Sequence, residues 1–326
     1  MTSSGVQAFN PSLSDIIAAS YRKTGIINSI ETPSPSQLIN GRFALNAMLG
    51  EWSGTGIHVW ATSEAILFLQ KDQRRYQIGL ASTDHMTDAY DFASTTLTAA
   101  AASGATALTV SSITDIAASD YLAIELDSGA FQWTTVNGAP SGTTVTATVA
   151  LTGAAASGNR VIAYTSKIIR PLEIPNARYF NYSSLLENAA QRLSHIDYME
   201  QPNKTSTSSP FTQWRYQPKI PLGIVDVWLT PSDVKHAMRF TWHRPIYEFT
   251  SNSETADVPL PWVNALIYGL AAELIPDGDV PADRADIIMK MATAKLATAM
   301  AFDREPESIL MQPDLSPSQT MISYGR

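Results

Sequence analysis

The chain has 326 residues and 35.4 kDa, 44% hydrophobic and 16% charged; that exceeds the roughly 250–300 residues one hydrophobic core serves and is too apolar for a disordered chain. Thirty acidic against 22 basic residues leave a net charge of −8, which opposes a general electrostatic grip on nucleic acid. Cysteine is absent, excluding disulfides and thiolate chemistry, and neither a membrane-spanning apolar run of roughly 18 residues nor a signal-peptide pattern in Met1–Asn10 is found.

In chain order, Leu13, Ile16, Ile17 and Tyr21 recur at helical spacing between Pro11 and Gly25, with Asn10 expected as the cap. After Ser34 and Pro35 a second helix carries Leu38, Leu45, Met48, Leu49 and Trp52 on one stripe, and Gly54 and Gly56 are expected to end it. The two should pair as a hairpin. Ile57–Trp60 and Ala65–Leu69 are β-leaning, and Tyr76 and Ile78 alternate with polar neighbours, so a small sheet should follow.

Composition then changes abruptly. Of the 72 residues from Thr95 to Ser166, 45 are Ala, Gly, Ser or Thr and five are charged, which marks a separate module. Its strand-like segments, Ala107–Ser111, Tyr121–Leu126, Phe131–Val136, Thr143–Val149 and Arg160–Thr165, are divided by glycine turns and predict a compact all-β domain. Proline-punctuated strands follow at Trp214–Gln217, Ile224–Thr230 and Met238–Trp242, read as a meander, with a short helical turn expected around Ser184–His195. Pro261–Ile275 is apolar nearly all round, the pattern of a buried helix, and Ala282–Phe302 reads as a long alanine-rich helix capped by Asp279. Asp303–Arg326 has prolines and no periodicity, and reads as an extended tail.

These readings give an α+β class: a helical bundle of two N-terminal and two C-terminal helices, a β meander and an inserted small all-β domain. The expected divisions are 1–94 (helical hairpin and small sheet), 95–166 (inserted β domain), 167–258 (meander), 259–302 (C-terminal helices) and 303–326 (tail).

No phosphate-cradling loop, nucleophile elbow or His-Glu-x-x-His motif occurs. The five histidines, at 58, 85, 195, 236 and 243, have no metal-ligand spacing. Asp277, Asp279 and Asp283 lack the glycine and terminal glutamate of a calcium loop, and Glu125 and Asp127, on alternate strand positions, read as a solvated face rather than a glycosidase pair. No catalytic, cofactor or metal residue is nominated, and no enzyme activity is expected.

The two ends together carry a pattern: Ile16-Ile17-Ala18-Ala19-Ser20-Tyr21-Arg22-Lys23-Thr24-Gly25-Ile26; Leu45-Asn46-Ala47-Met48-Leu49-Gly50-Glu51-Trp52; and Pro261-Trp262-Val263-Asn264-Ala265-Leu266 with Leu270-Ala271-Ala272-Glu273-Leu274. On these residues, with Tyr76-Gln77-Ile78-Gly79, Tyr198–Lys204, Trp214 and Trp228, the chain resembles the head-to-tail adaptor (connector, or packaged-DNA stabilisation) proteins of short-tailed bacteriophages over roughly Ser12–Ile78 and Lys167–Glu307. It departs from the family pattern in its inserted β module and in Asp277-Gly278, where related chains often have an aromatic before glycine.

The resemblance implies a structural protein of the virion's portal vertex and tail, made in the host cytoplasm. It implies a homo-oligomeric ring, commonly of twelve, between portal protein and tail nozzle; the sparsely charged, Thr-rich β module, read as an outward platform or a stiffener of the rim, makes tail fibres a further candidate partner. Genomic DNA would pass through during packaging and ejection without sequence-specific binding; no membrane is involved. Met311, Asp314, Leu315 and Tyr324 are candidate portal-docking residues of the tail, and Trp52, Trp262, Ala292 and Leu296 are candidates for helix packing or the ring interface. By segment the charge is −2 for 1–94, −3 for 95–166, +2 for 167–254 and −5 for 255–326, so an acidic bore that repels phosphate is expected. The rival reading is a carbohydrate-binding or depolymerising tail protein using Trp133 of the Thr-rich module; an NTP-linked packaging enzyme lacks its phosphate loop.

Overall fold

The computed structural model of the chain describes residues 9–55 and 59–303. Two helices open it. The first, α1 (Leu13–Thr24), starts at Ser12, which forms a reciprocal capping box with Asp15, and stops at Gly25, whose φ of 82° closes a left-handed cap. Asn10 is therefore not the cap. The second, α2, spans Pro35–Thr55.

Sixteen strands follow among the described residues, with a short α3 between them. They are β1 (Thr62–Phe68), β2 (Arg75–Ile78), β3 (Met86–Asp88), β4 (Ala93–Thr96), β5 (Ala107–Thr109), β6 (Tyr121–Glu125), β7 (Phe131–Thr135), β8 (Thr144–Thr146) and β9 (Arg160–Tyr164). Then come β10 (Glu173–Asn181), β11 (Glu187–Arg192), α3 (His195–Glu200), β12 (Thr207–Ser208), β13 (Gln213–Gln217), β14 (Gly223–Trp228), β15 (Thr230–Pro231) and β16 (His236–His243). The chain ends its described part with α4 (Val263–Glu273) and α5 (Ala282–Phe302).

The expected bundle with a meander and a small inserted β domain is overturned. The molecule is sheet-rich, and its largest unit is one nearly closed, barrel-like sheet of eight strands in the order β2-β14-β13-β11-β10-β16-β1-β3. Strands from both sides of the insert build it: β1 pairs antiparallel with β16, and β2 with β14. Residues 167–258 are thus no meander of their own, and β11 even runs parallel to β13. The expected helical turn at Ser184–His195 is instead β11 followed by α3.

Side-chain alternation explains how the layers meet. Along β1, Ala65 and Leu67 point into the sheet's interior with Tyr76, Ile78, Trp214, Val225, Val227, Met238, Phe240 and Trp242. Ile66 and Phe68 point to the other face, against Ala123, Phe131, Ile162 and Tyr164 of the insert. A strand covered on both faces reads as an unbroken apolar run, as Ala65–Leu69 does. In the insert the same period of two sends Leu122, Ile124, Val161 and Ala163 into its own core and Ala123, Ile162 and Tyr164 into the junction.

The helices form a separate apolar layer. Leu13, Ile16, Ile17 and Tyr21 of α1 pack with Leu45, Met48, Leu49 and Trp52 of α2 and Ala265, Leu266 and Leu270 of α4. Close approach is enforced by glycine: a Cβ at Gly269 would lie 2.8 Å from Met48 Sδ, and one at Gly41 2.9 Å from Ile17. Pro281 precedes α5 without a side-chain cap, so Asp279 does not cap it.

Candidate functional site

Three polar or aromatic clusters lie in the sheet and at its junction with the insert. Asp226, fully buried, accepts from Arg215 Nε at 2.9 Å, Arg75 Nε at 2.7 Å and Gln217 Nε2 at 2.8 Å. Arg215, also buried, sends Nη1 to His195 Nδ1 at 2.7 Å and lies over the Tyr198 ring. Both carboxylate oxygens are taken, so this group fastens α3 to β13 and β14 rather than offering a reactive centre.

Ser209, His236 and Asp233 meet as a catalytic triad's members would, but in another order. Asn181 Nδ2 lies 3.1 Å from His236 Nε2, which accepts from it; the ring proton therefore sits on Nδ1 and is donated to Ser209 Oγ at 2.7 Å. The Ser209 hydroxyl donates in turn to Asp233 Oδ1 at 2.8 Å. A histidine that donates to the serine is not poised to take its proton, as a general base must. Burial holds this imidazole below the usual histidine range, which favours the neutral form.

At the junction of insert and sheet, Trp133 stacks on His85 with ring centroids 3.6 Å apart and planes within 2°. Its edges meet Phe68, Phe131 and Tyr164. His85 Nδ1 is 2.8 Å from the Tyr164 hydroxyl, and burial, with Lys167 nearby, pushes its pKa down to about 3. Gln70 closes the seam with both ends of its amide: Nε2 donates to Phe131 O at 2.6 Å and Oε1 accepts from Phe131 N at 2.8 Å. One face of Trp133 is thus covered, unlike the open aromatic platform a sugar site uses.

The helical layer is different. α1 and α4 pack on each other, and each also touches α2 and α5. Trp52 and Trp262 lie inside this layer, their rings 5.6 Å apart; Leu296 packs against the same core from α5, and Ala292 is half-buried beside it. Met311, Asp314, Leu315 and Tyr324 fall outside the described residues. So does His58.

What sequence patterning missed is the outward side of the two outer helices. On α2, Phe43 is 79% and Ile39 59% exposed, flanking a groove of about 450 Å³ lined also by Arg42, Asn46, Ala47 and Glu248. Along the whole of α5, Ala285, Ile288 and Ala299 are the buried residues; Ile287, Met289, Met300 and Phe302 are exposed. The signal was present: Ile39 and Phe43 stand four apart, off the stripe that contains Leu38, Leu45 and Leu49. Reading the strongest stripe alone hid the second.

Among the described residues no three His, Cys, Asp or Glu side chains are grouped to hold a metal, and no helix is long and apolar enough to cross a membrane. Compared with known families and curated proteins, the chain matches no family model and no curated sequence.

Proposed function

We propose that the chain is a structural subunit of a virion ring that joins the portal to the tail nozzle and helps retain and conduct packaged DNA. The observation that carries this reading is the apolar surface left uncovered on α2 and α5. A lone soluble chain gains by burying such faces, and repeated copies bury them at every joint of a ring. The resemblance of the α1, α2 and α4 segments to phage adaptor proteins supplies the kind of ring and its partners.

Conduction of DNA fits the acidic balance of 255–326, because a bore that binds no phosphate releases no counterions and does not hold the duplex. The β module is joined to the body by the Trp133 side, so its opposite side is free to meet nozzle or fibre proteins. No cofactor enters this role. The test is to mix the purified chain with portal rings and measure its sedimentation. Saturable binding near one copy per portal subunit is expected; a chain that ignores both portal and nozzle contradicts the proposal.

A further inference from the structure

A head-to-tail joint pairs two unlike surfaces of the same subunit. The helical layer has two such surfaces, on α2 and on α5, with α1 and α4 packed between them. The outward stripe of α2 runs Ile39, Phe43, Ala47, Gly50, Gly54; that of α5 runs Ile287, Lys290, Ala294, Ala297, Ala301. Unlike Gly41 and Gly269, Gly50 and Gly54 have no internal reason to be glycine: an added Cβ at either meets nothing within 4 Å. Glycine inside a helix lowers its stability relative to alanine. A helix approaching closely from outside gives both positions a purpose.

Resting on the ring reading, we propose that each joint is an antiparallel packing of α2 of one copy on α5 of the next, with Phe43 seated over Ala294 and Ile287 over Gly50. Phe43 and Gly50 are seven residues apart, as are Ile287 and Ala294, which is about 10.5 Å along either helix. One antiparallel register therefore sets a large side chain over a small one at both ends. The same register brings Lys290 opposite Ala47, beside which Glu248 lines the groove, so a cation meets a carboxylate. In the single chain Lys290 reaches back to Asp286 at 2.6 Å, an exposed pair that exchanges partners at little cost. A parallel packing with Phe43 over Ala294 sets Gly50 over Ala301 and Ile287 over Ser36, and moves Lys290 away from Glu248. The occupant of the α2 groove is a second copy of this chain.

The absence of native cysteine makes the joint readable by cross-linking. Phe43→Cys with Ala294→Cys, and separately Gly50→Cys with Ile287→Cys, are placed in the full chain, and portal-assembled rings are oxidised mildly. Each pair is expected to give a ladder of covalent multimers, whereas single variants and the mismatched pair Phe43→Cys with Ile287→Cys give nothing beyond a dimer. Gly50→Leu, whose side chain points to open space in the subunit, is expected to melt at or above the wild-type temperature yet lose at least tenfold of its ring population. Rings of the two double-cysteine variants that close but form no ladder, with Gly50→Leu assembling normally, overturn this joint and leave the ring reading standing. Cross-linking of Phe43→Cys to a portal chain bearing cysteine likewise overturns it. A wild-type chain that forms no ring with or without portal overturns both.

Discussion

The sheet with its insert and the flanks of the helical layer solve the same problem in opposite ways. In the first, the seam around β1 is completed within the chain: β1 is buried on both faces, Gln70 uses both ends of its amide on Phe131, and His85 covers Trp133. In the second, α2 and α5 bury one side on α1 and α4 and leave Phe43, Ile39, Ile287 and Met289 facing outward. The difference separates stability from assembly. Mutations in the closed region should unfold the subunit, and mutations on the flanks should spare the fold and change what the subunit joins.

The largest effect on the fold is expected from Asp226→Ala. It strands the buried Arg215 guanidinium, and breaking one side of a buried pair costs about 3–5 kcal/mol. Urea unfolding followed by fluorescence measures it; a loss under 1 kcal/mol would place the weight of the sheet elsewhere. Next comes Trp133→Ala, which removes a half-buried ring from the junction and should cost about 2–3 kcal/mol, with limited proteolysis cutting first between the insert and β1.

His85 sharpens the contrast through pH. Its folded pKa is depressed to about 3, so the unfolded chain takes up a proton first as pH falls. The neutral imidazole's contribution is complete above the unfolded value near 6.5 and is lost progressively between there and about 3. Thermal melts of His85→Gln should therefore fall less steeply than wild type across that window; parallel curves would mean that His85 is not buried neutral. The smallest effect on stability belongs to Phe43→Ser, within about 0.5 kcal/mol because the ring is exposed. Its reading is in assembly, where sedimentation should show ring formation sharply weakened.

Helices were the more legible part of the sequence, because their signals are local. Ala282–Phe302 is bounded by Pro281 and its apolar content, and Gly25 ends α1 through its backbone alone. The sheet was legible only as segments. Pairing β1 with β16 joins Thr62 to His243, and no periodicity names a partner that distant. β11, Glu187–Arg192, has weak strand preference and forms because β10 and β13 flank it. At the candidate surface the residues were visible but their exposure was not, since exposure depends on which face α1 and α4 occupy. Trp52 and Trp262, candidates for helix packing or the ring interface, illustrate it: both fill the interior of the layer.

The most direct test of the central claim is an image. Two-dimensional class averages of the full chain bound to portal rings should show a closed collar with one copy of this subunit per portal subunit, joined through the helical layers. Averages showing solitary subunits scattered on the portal, or no binding at all, would contradict it.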